Sequence, residues 1–159
     1  MTAYYSLNQV TTQTIRQLYF EMLPMFIRIP VLLLIALTMS ACAEPPYSNL
    51  DNEQLKKMLA EDVPIIDVRR PDEWRQTGVV EGSKLLTFVD GSGRVKADFL
   101  ERFTATVKKD DPVILICRTG NRTSTLARHL VENMGFTRVY NVRDGITEWI
   151  RDGEPTIRL

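Results

Sequence analysis

Soft ligands are scarce in this chain. It has two cysteines, Cys42 and Cys117, and one histidine, His129, among 159 residues. That set is too small for a structural zinc site, which is built from several thiolates and imidazoles. It also excludes a disulfide framework, leaving arithmetic room for a single bridge. An excess of one charge is equally lacking. Lys and Arg together number 20, Asp and Glu together 20, and the formal net charge is zero. Binding along a phosphate backbone needs a positive excess, so nucleic acid is excluded as the main partner. Any anion the protein handles must be met by a local site and not by a global field. There is no internal repeat and no low-complexity tract.

The N-terminal part reads as a targeting segment. Residues 29–39 form an apolar run broken only by Pro30 and Thr38, shorter than the roughly 20 apolar residues a membrane-crossing helix needs. Arg28 precedes the run, and the small residues Ser40 and Ala41 follow it, directly before Cys42. Positive residue, apolar stretch and small-residue cleavage site in that order describe a signal peptide. The Ser-Ala-Cys ending resembles the lipobox of bacterial lipoproteins, with Met39 standing where leucine is usual. The resemblance implies that Cys42 takes a lipid and becomes the mature N-terminus. It divides the chain into a signal peptide at 1–41, a lipidated tether at 42–47 and a domain at 48–159. Residues 1–24 are mostly polar and carry Glu21. A compact signal would begin with Met25-Phe26-Ile27-Arg28, so translation is expected to start at Met25 or Met22. Ala43 and Glu44 follow the cysteine and no aspartate stands directly after it. By resemblance to lipoprotein sorting, this favours an outer-membrane anchor facing the periplasm.

Downstream, apolar stretches of two kinds alternate. Residues 51–61 read as a helix with Leu55, Met58 and Leu59 on one face and Asp51 as its cap. Residues 63–68 read as a buried strand holding Asp67, and residues 71–74 as a turn into a brief helix. A short strand is expected within 84–89, and a helix over 95–107 with Phe99, Phe103 and Val107 spaced by four. Val113, Ile114, Leu115, Ile116 and Cys117 are continuously apolar, as in a strand buried on both faces. A polar loop follows, then a helix over 123–134 that Gly135 stops. A strand at 139–142 and a last helix at 146–151 close the chain. Strands alternating with helices predict an α/β fold: an open, mostly parallel sheet flanked by helices on both faces.

Cys117 sits where chemistry is expected. It ends a buried strand just before a helix, and α/β sheets bind ligands at such carboxyl edges. The loop Arg118-Thr119-Gly120-Asn121-Arg122 can turn backbone N–H groups toward an anion, and the helix adds the positive end of its dipole. Arg118 and Arg122 add full charges. Positive charge beside a thiol favours the thiolate, which is a strong nucleophile. A small buried hydrophobe at a strand end is the plain alternative. Two arginines and a glycine within five residues speak against it.

The stretch Cys117-Arg118-Thr119-Gly120-Asn121-Arg122-Thr123 resembles the active-site loop of single-domain rhodaneses. Ile66-Asp67-Val68-Arg69 with Glu73-Trp74 resembles that family's strand signature. Gly135-Phe136, Asp144-Gly145, Trp149 and Gly153-Glu154-Pro155 resemble its closing elements. The resemblance spans about residues 48–159 and implies a rhodanese-like sheet. It further implies that Cys117 takes sulfur from a small sulfur-containing anion such as thiosulfate, becomes a persulfide, and passes the sulfur to a thiophile such as cyanide or a thiol. The amides of Arg118 to Arg122 would cradle the sulfur and the two arginine side chains would attract the donor. No metal or organic cofactor is implied. Asp67, Arg69 and Glu73 are assigned to local charge pairing near the sheet edge.

One segment departs from the family. Gly78-Val79-Val80-Glu81-Gly82-Ser83 stands where Gly-His-Ile-Pro-Gly-Ala is usual, so Val79 replaces a histidine and Glu81 a proline. His129 lies well into the helix after the loop and is expected at the surface, because general-base geometry is demanding. Two other functions share this kind of scaffold: a cysteine phosphatase or arsenate reductase, and a non-catalytic sulfide-binding module. The presence of the cysteine weighs against the latter. Four residues separate Cys117 from Arg122, whereas phosphatases of the related scaffold need one more to wrap a tetrahedral phosphate.

Overall fold

The computed structural model describes residues 44–159. The expected signal peptide, the alternative start at Met25 and the expected lipidation at Cys42 lie outside the described residues. The elements run β1 (Ser48–Leu50), α1 (Asn52–Ala60), β2 (Ile65–Asp67), α2 (Pro71–Thr77), β3 (Lys84–Leu85), α3 (Phe99–Thr106), β4 (Val113–Ile116), α4 (Asn121–Met134), β5 (Val139–Val142) and α5 (Gly145–Arg151). All strand pairings are parallel, in the order β1-β5-β4-β2-β3. The strand that leads to Cys117 is therefore the middle one.

Side chains on a strand alternate between faces, and β4 shows it. Val113, Leu115 and Cys117 pack with Phe99 and Phe103 of α3 and with Leu126, Ala127 and Leu130 of α4. Ile114 and Ile116 point the other way, to Leu55 of α1 and to Ile146 and Trp149 of α5. Both faces are covered, which is why β4 reads as an unbroken apolar run. The open α/β sheet with helices on both faces is the architecture expected from the sequence.

Boundaries differ in three informative places. The helix expected over 95–107 begins at Phe99, because Val95 instead pairs with Val89 in an antiparallel bridge and the Lys96 amide donates to the Phe88 carbonyl at 2.9 Å. The helix expected from Thr123 begins at Asn121, immediately after Gly120. The strand β1 falls in a stretch the sequence left unassigned, and it is the short edge strand on β5. Asp51 caps α1 as expected, its carboxylate accepting from the Gln54 amide while the Gln54 side chain accepts from the Asp51 amide.

Candidate active site

Three strand ends converge around Cys117. It follows β4 directly and its side chain is almost fully buried, with 1 % of its surface exposed. Asp67 ends β2 on one side. The corner from β5 into α5, through Arg143, Asp144 and Gly145, lies on the other.

The β5–α5 corner fixes the loop after Cys117. The Ile146 amide donates to the Cys117 carbonyl at 2.9 Å, and the Thr147 amide to the Arg118 carbonyl at 3.1 Å. These two carbonyls are thereby bound to the start of α5. Such contact requires a residue without Cβ on the α5 side: a Cβ on Gly145 would lie 2.5 Å from the carbonyls of Cys117 and Arg118. The loop is equally tight at Gly120, which has φ +79°; a Cβ there would lie 1.8 Å from the Arg143 carbonyl oxygen. Two glycines thus let two backbone turns touch.

The amides behave differently from the carbonyls. Among the described residues, no backbone carbonyl accepts from the N–H groups of Arg118, Thr119, Gly120, Asn121 or Arg122; the first such bond after the loop is Ser124 N–H to Gly120 O at 2.8 Å. Backbone N–H groups without an internal acceptor must meet water or a ligand. A loop with bonded carbonyls and unspent amides, opening a helix of 14 residues, is a ready anion cradle.

Thr123, one turn into α4, adds a side-chain contact that the sequence reading left without a role. Its buried hydroxyl lies 3.3 Å from Cys117 Sγ and 3.0 Å from the Gly120 carbonyl oxygen. One hydroxyl proton serves one acceptor at a time, so Thr123 can turn its proton to the sulfur when the sulfur is anionic.

The two loop arginines have different surroundings. Arg122 holds Glu73 of α2 in a two-point ion pair, at 2.8 and 2.5 Å. Burial alone would push the Glu73 carboxyl up, but the hydrogen bonds from Arg122 and the Arg70 amide, with the charges of both arginines, outweigh it and hold it below the ordinary glutamate value. The hydrogen bonds to Glu73 hold Arg122 above its ordinary value despite burial, and the Cys117 sulfur adds to that. Arg122 is thus a fixed cation paired with Glu73. Arg118 is exposed and has no ion pair among the described residues. Of the two arginines expected to attract the donor, Arg122 is thus engaged with Glu73 and Arg118 is not.

Asp67 and Arg69 form the local pair expected of them. Both are buried, and Arg69 Nη2 donates to Asp67 Oδ2 at 2.7 Å. Arg69 also donates to the Gly78 carbonyl and the Thr77 hydroxyl, each at 2.7 Å, so it ties the C-terminal end of α2 to the sheet. Glu73 does more than the local pairing assigned to it, since it reaches the loop across 49 positions of sequence. In the sequence Glu73 stands within the Glu73-Trp74 signature, which carries no sign of a partner in the loop. Val79, where the resemblance leads one to expect a histidine, pairs with Ile157 in an antiparallel bridge. His129 is exposed on α4 beside Asn133. No cluster of potential metal ligands occurs among the described residues.

A five-stranded parallel α/β sheet with a buried cysteine directly after its central strand defines the class of domain. Within that class the match is specific. The sequence profile of the rhodanese-like domain fits residues 51–152, and the chain belongs to that family. It is 30 % identical over 112 residues to a protein of Allochromatium vinosum named sulfurtransferase, covering 69 % of this chain and 94 % of that one. A thiosulfate sulfurtransferase of Pseudoalteromonas translucida is 31 % identical over 97 residues, covering 61 % of this chain and 82 % of that one. The crystal structure of Rv0390 from M. tuberculosis superposes with a TM-score of 0.60 at 27 % identity, over 71 % of this chain and 99 % of that one.

Proposed function

We propose that this protein is a sulfurtransferase that carries sulfane sulfur on Cys117, taking it from a donor such as thiosulfate and giving it to cyanide or a thiol. Family membership and the sulfurtransferases among its relatives support sulfur transfer in general. The observation that carries the mechanism is the row of unspent amides beside a buried cysteine. In the first half-reaction the Cys117 thiolate attacks the outer sulfur of thiosulfate. The Sγ–S bond forms, the S–S bond of thiosulfate breaks, and sulfite leaves with the electron pair. The persulfide left on Cys117 bears a terminal negative charge, which the amides, the Thr123 hydroxyl and Arg122 are arranged to offset. An acceptor nucleophile then takes that sulfur and returns the pair to Sγ. Thiosulfate-dependent conversion of cyanide to thiocyanate by the purified protein tests this. Activity is expected and should vanish in Cys117→Ala. Hydrolysis of an aryl phosphate without thiosulfate activity would overturn the reading in favour of a phosphatase.

We further propose that the domain is held at the outer membrane, facing the periplasm, by lipid on Cys42. Support comes from the apolar run, the Ser40-Ala41-Cys42 ending and the absence of aspartate after it. Several acyl chains hold a protein to a bilayer far more firmly than one. Cells fed labelled fatty acid should label the wild-type protein and leave Cys42→Ser unlabelled. Equal labelling of both would refute the anchor.

A further inference from the structure

The strand β3 is the open end of the sheet: it pairs with β2 and with no other strand. The Leu86 amide donates to the Asp67 carbonyl and the Phe88 amide to the Val68 carbonyl, each at 3.0 Å. Successive residues of a strand turn their N–H and C=O groups to opposite edges, so those of Leu85 and Thr87 point away from β2. Among the described residues these groups have no backbone partner. Beyond Thr87 the chain closes its own edge, where Val95 bridges Val89 and the Lys96 amide donates to the Phe88 carbonyl. The open edge thus runs from Leu85 to Thr87. A groove of about 320 Å³ lies beside it, between β3 and α3, lined by Lys84, Leu85 and Leu86 and by Arg102, Ala105 and Thr106. A second groove adjoins Thr87 and reaches Val89, Asp90, Lys96 and the first residues of α2. Most charges along these grooves are engaged: Arg70 with Asp72, Asp90 with Arg94, and Lys96 and Arg102 both with Asp98. Lys84 is exposed and has no ion pair among the described residues.

We propose that this edge docks a partner protein, which adds an extended acidic segment as a further strand beside β3 and sets a carboxylate against Lys84. In such an addition main-chain hydrogen bonds bind, and pockets for alternate side chains select. Leu85 and Thr87 each offer one outward donor and one outward acceptor, at the spacing a strand presents. Side chains of the added strand alternate between faces, so one set enters the groove between β3 and α3. There Leu86 and Ala105 meet a carbon stem and the unpaired cation of Lys84 favours a carboxylate at its end, since opposite charges attract across neighbouring strands. The competing occupant is a second copy of this chain, and Lys84 counts against it. Two β3 edges paired about a twofold axis would bring both copies of Lys84 onto one short ladder, and lysine on an edge strand discourages such pairing. None of these groups belongs to the loop after Cys117, so the proposal is independent of the sulfurtransferase reading.

The test uses isotope-labelled full-length protein and two end-blocked peptides, one alternating threonine with glutamate and the other threonine with lysine. On titration with the glutamate peptide, the amide signals of Leu85 and Thr87 should shift and their exchange with water should slow. The wild type should prefer the glutamate peptide about threefold, as for one exposed cross-strand charge pair, and Lys84→Glu should invert that preference. Thr87→Pro removes one outward N–H without touching the bonds to β2, and should lose both peptides while the signals of Ile66 and Leu115 stay in place. No shift at millimolar peptide, equal affinity of the wild type for the two peptides, or a preference unmoved in Lys84→Glu would overturn the proposal. Protection of the Leu85 and Thr87 amides that grows with protein concentration and needs no peptide would overturn it in favour of a second copy.

Discussion

Gly120 is where the loop after Cys117 has least room. Its backbone is left-handed, and its α-carbon faces the Arg143 carbonyl so closely that any side chain must displace the β5–α5 corner. Gly82 offers a control: its φ is +76°, but an added Cβ would meet nothing within 4 Å. Gly82→Ala should cost about 1 kcal/mol, the strain of the left-handed conformation alone. Gly120→Ala carries that strain plus a backbone collision, and should cost roughly 3 kcal/mol or more. Chemical denaturation of both variants checks the difference, and equal costs would mean that the loop does not press on Arg143. At this scale the sequence was partly legible. Cys117 and its arginines stand together in the chain, so their chemistry was readable. That Arg122 is engaged and Arg118 is not depends on Glu73, which no local pattern links to the loop. Thr123 was within the recognised stretch, but its bond to sulfur follows from a helix starting two residues earlier than its apolar periodicity shows.

Among the elements, α2 is tied to distant parts of the chain. It has seven residues, too few to be stable alone, and it is held at both ends by arginines. Arg69 fixes its C-terminal end through Thr77 and Gly78, and Arg122 fixes its first turn through Glu73. The Glu73–Arg122 pair thereby joins α2 to α4 and fixes the Arg122 side chain. Glu73→Gln should lower stability at neutral pH by about 2 kcal/mol, the scale of hydrogen bonds to a charged group. Its pH dependence has a definite sign. The folded carboxyl titrates below its unfolded value of about 4.3, so the unfolded chain binds more protons and the pair's contribution is lost as pH falls through the folded value. The stability gap between wild type and variant should be full above the ordinary carboxylate range and narrow on acidification. A gap independent of pH would show that the charge of Glu73 is irrelevant. The alternation of strands and helices was legible because β4 and the α4 face carry strong period signals. The strand β1 was not: three residues, Ser-Asn-Leu, show no periodicity and become a strand only by pairing with β5.

For the molecule as a whole, the C-terminal segment closes the fold around the same region. Ile157 exchanges two backbone hydrogen bonds with Val79, the Thr156 hydroxyl donates to the Thr77 carbonyl, and the Trp149 indole donates to the Pro155 carbonyl. The loop in which Val79 and Glu81 replace the family's usual residues is thus held by the end of the chain. With charges balanced overall, the protein has no long-range pull on anions, and the local cradle must do the binding. We expect this cradle to hold one sulfur on Cys117. Intact mass after exposure to thiosulfate, compared before and after cyanide, tests it most directly. The wild-type protein should gain one sulfur atom and lose it to cyanide as thiocyanate, while Cys117→Ser should gain none. A wild type that takes up no sulfur, or a Cys117→Ser variant that takes it up equally, would contradict it.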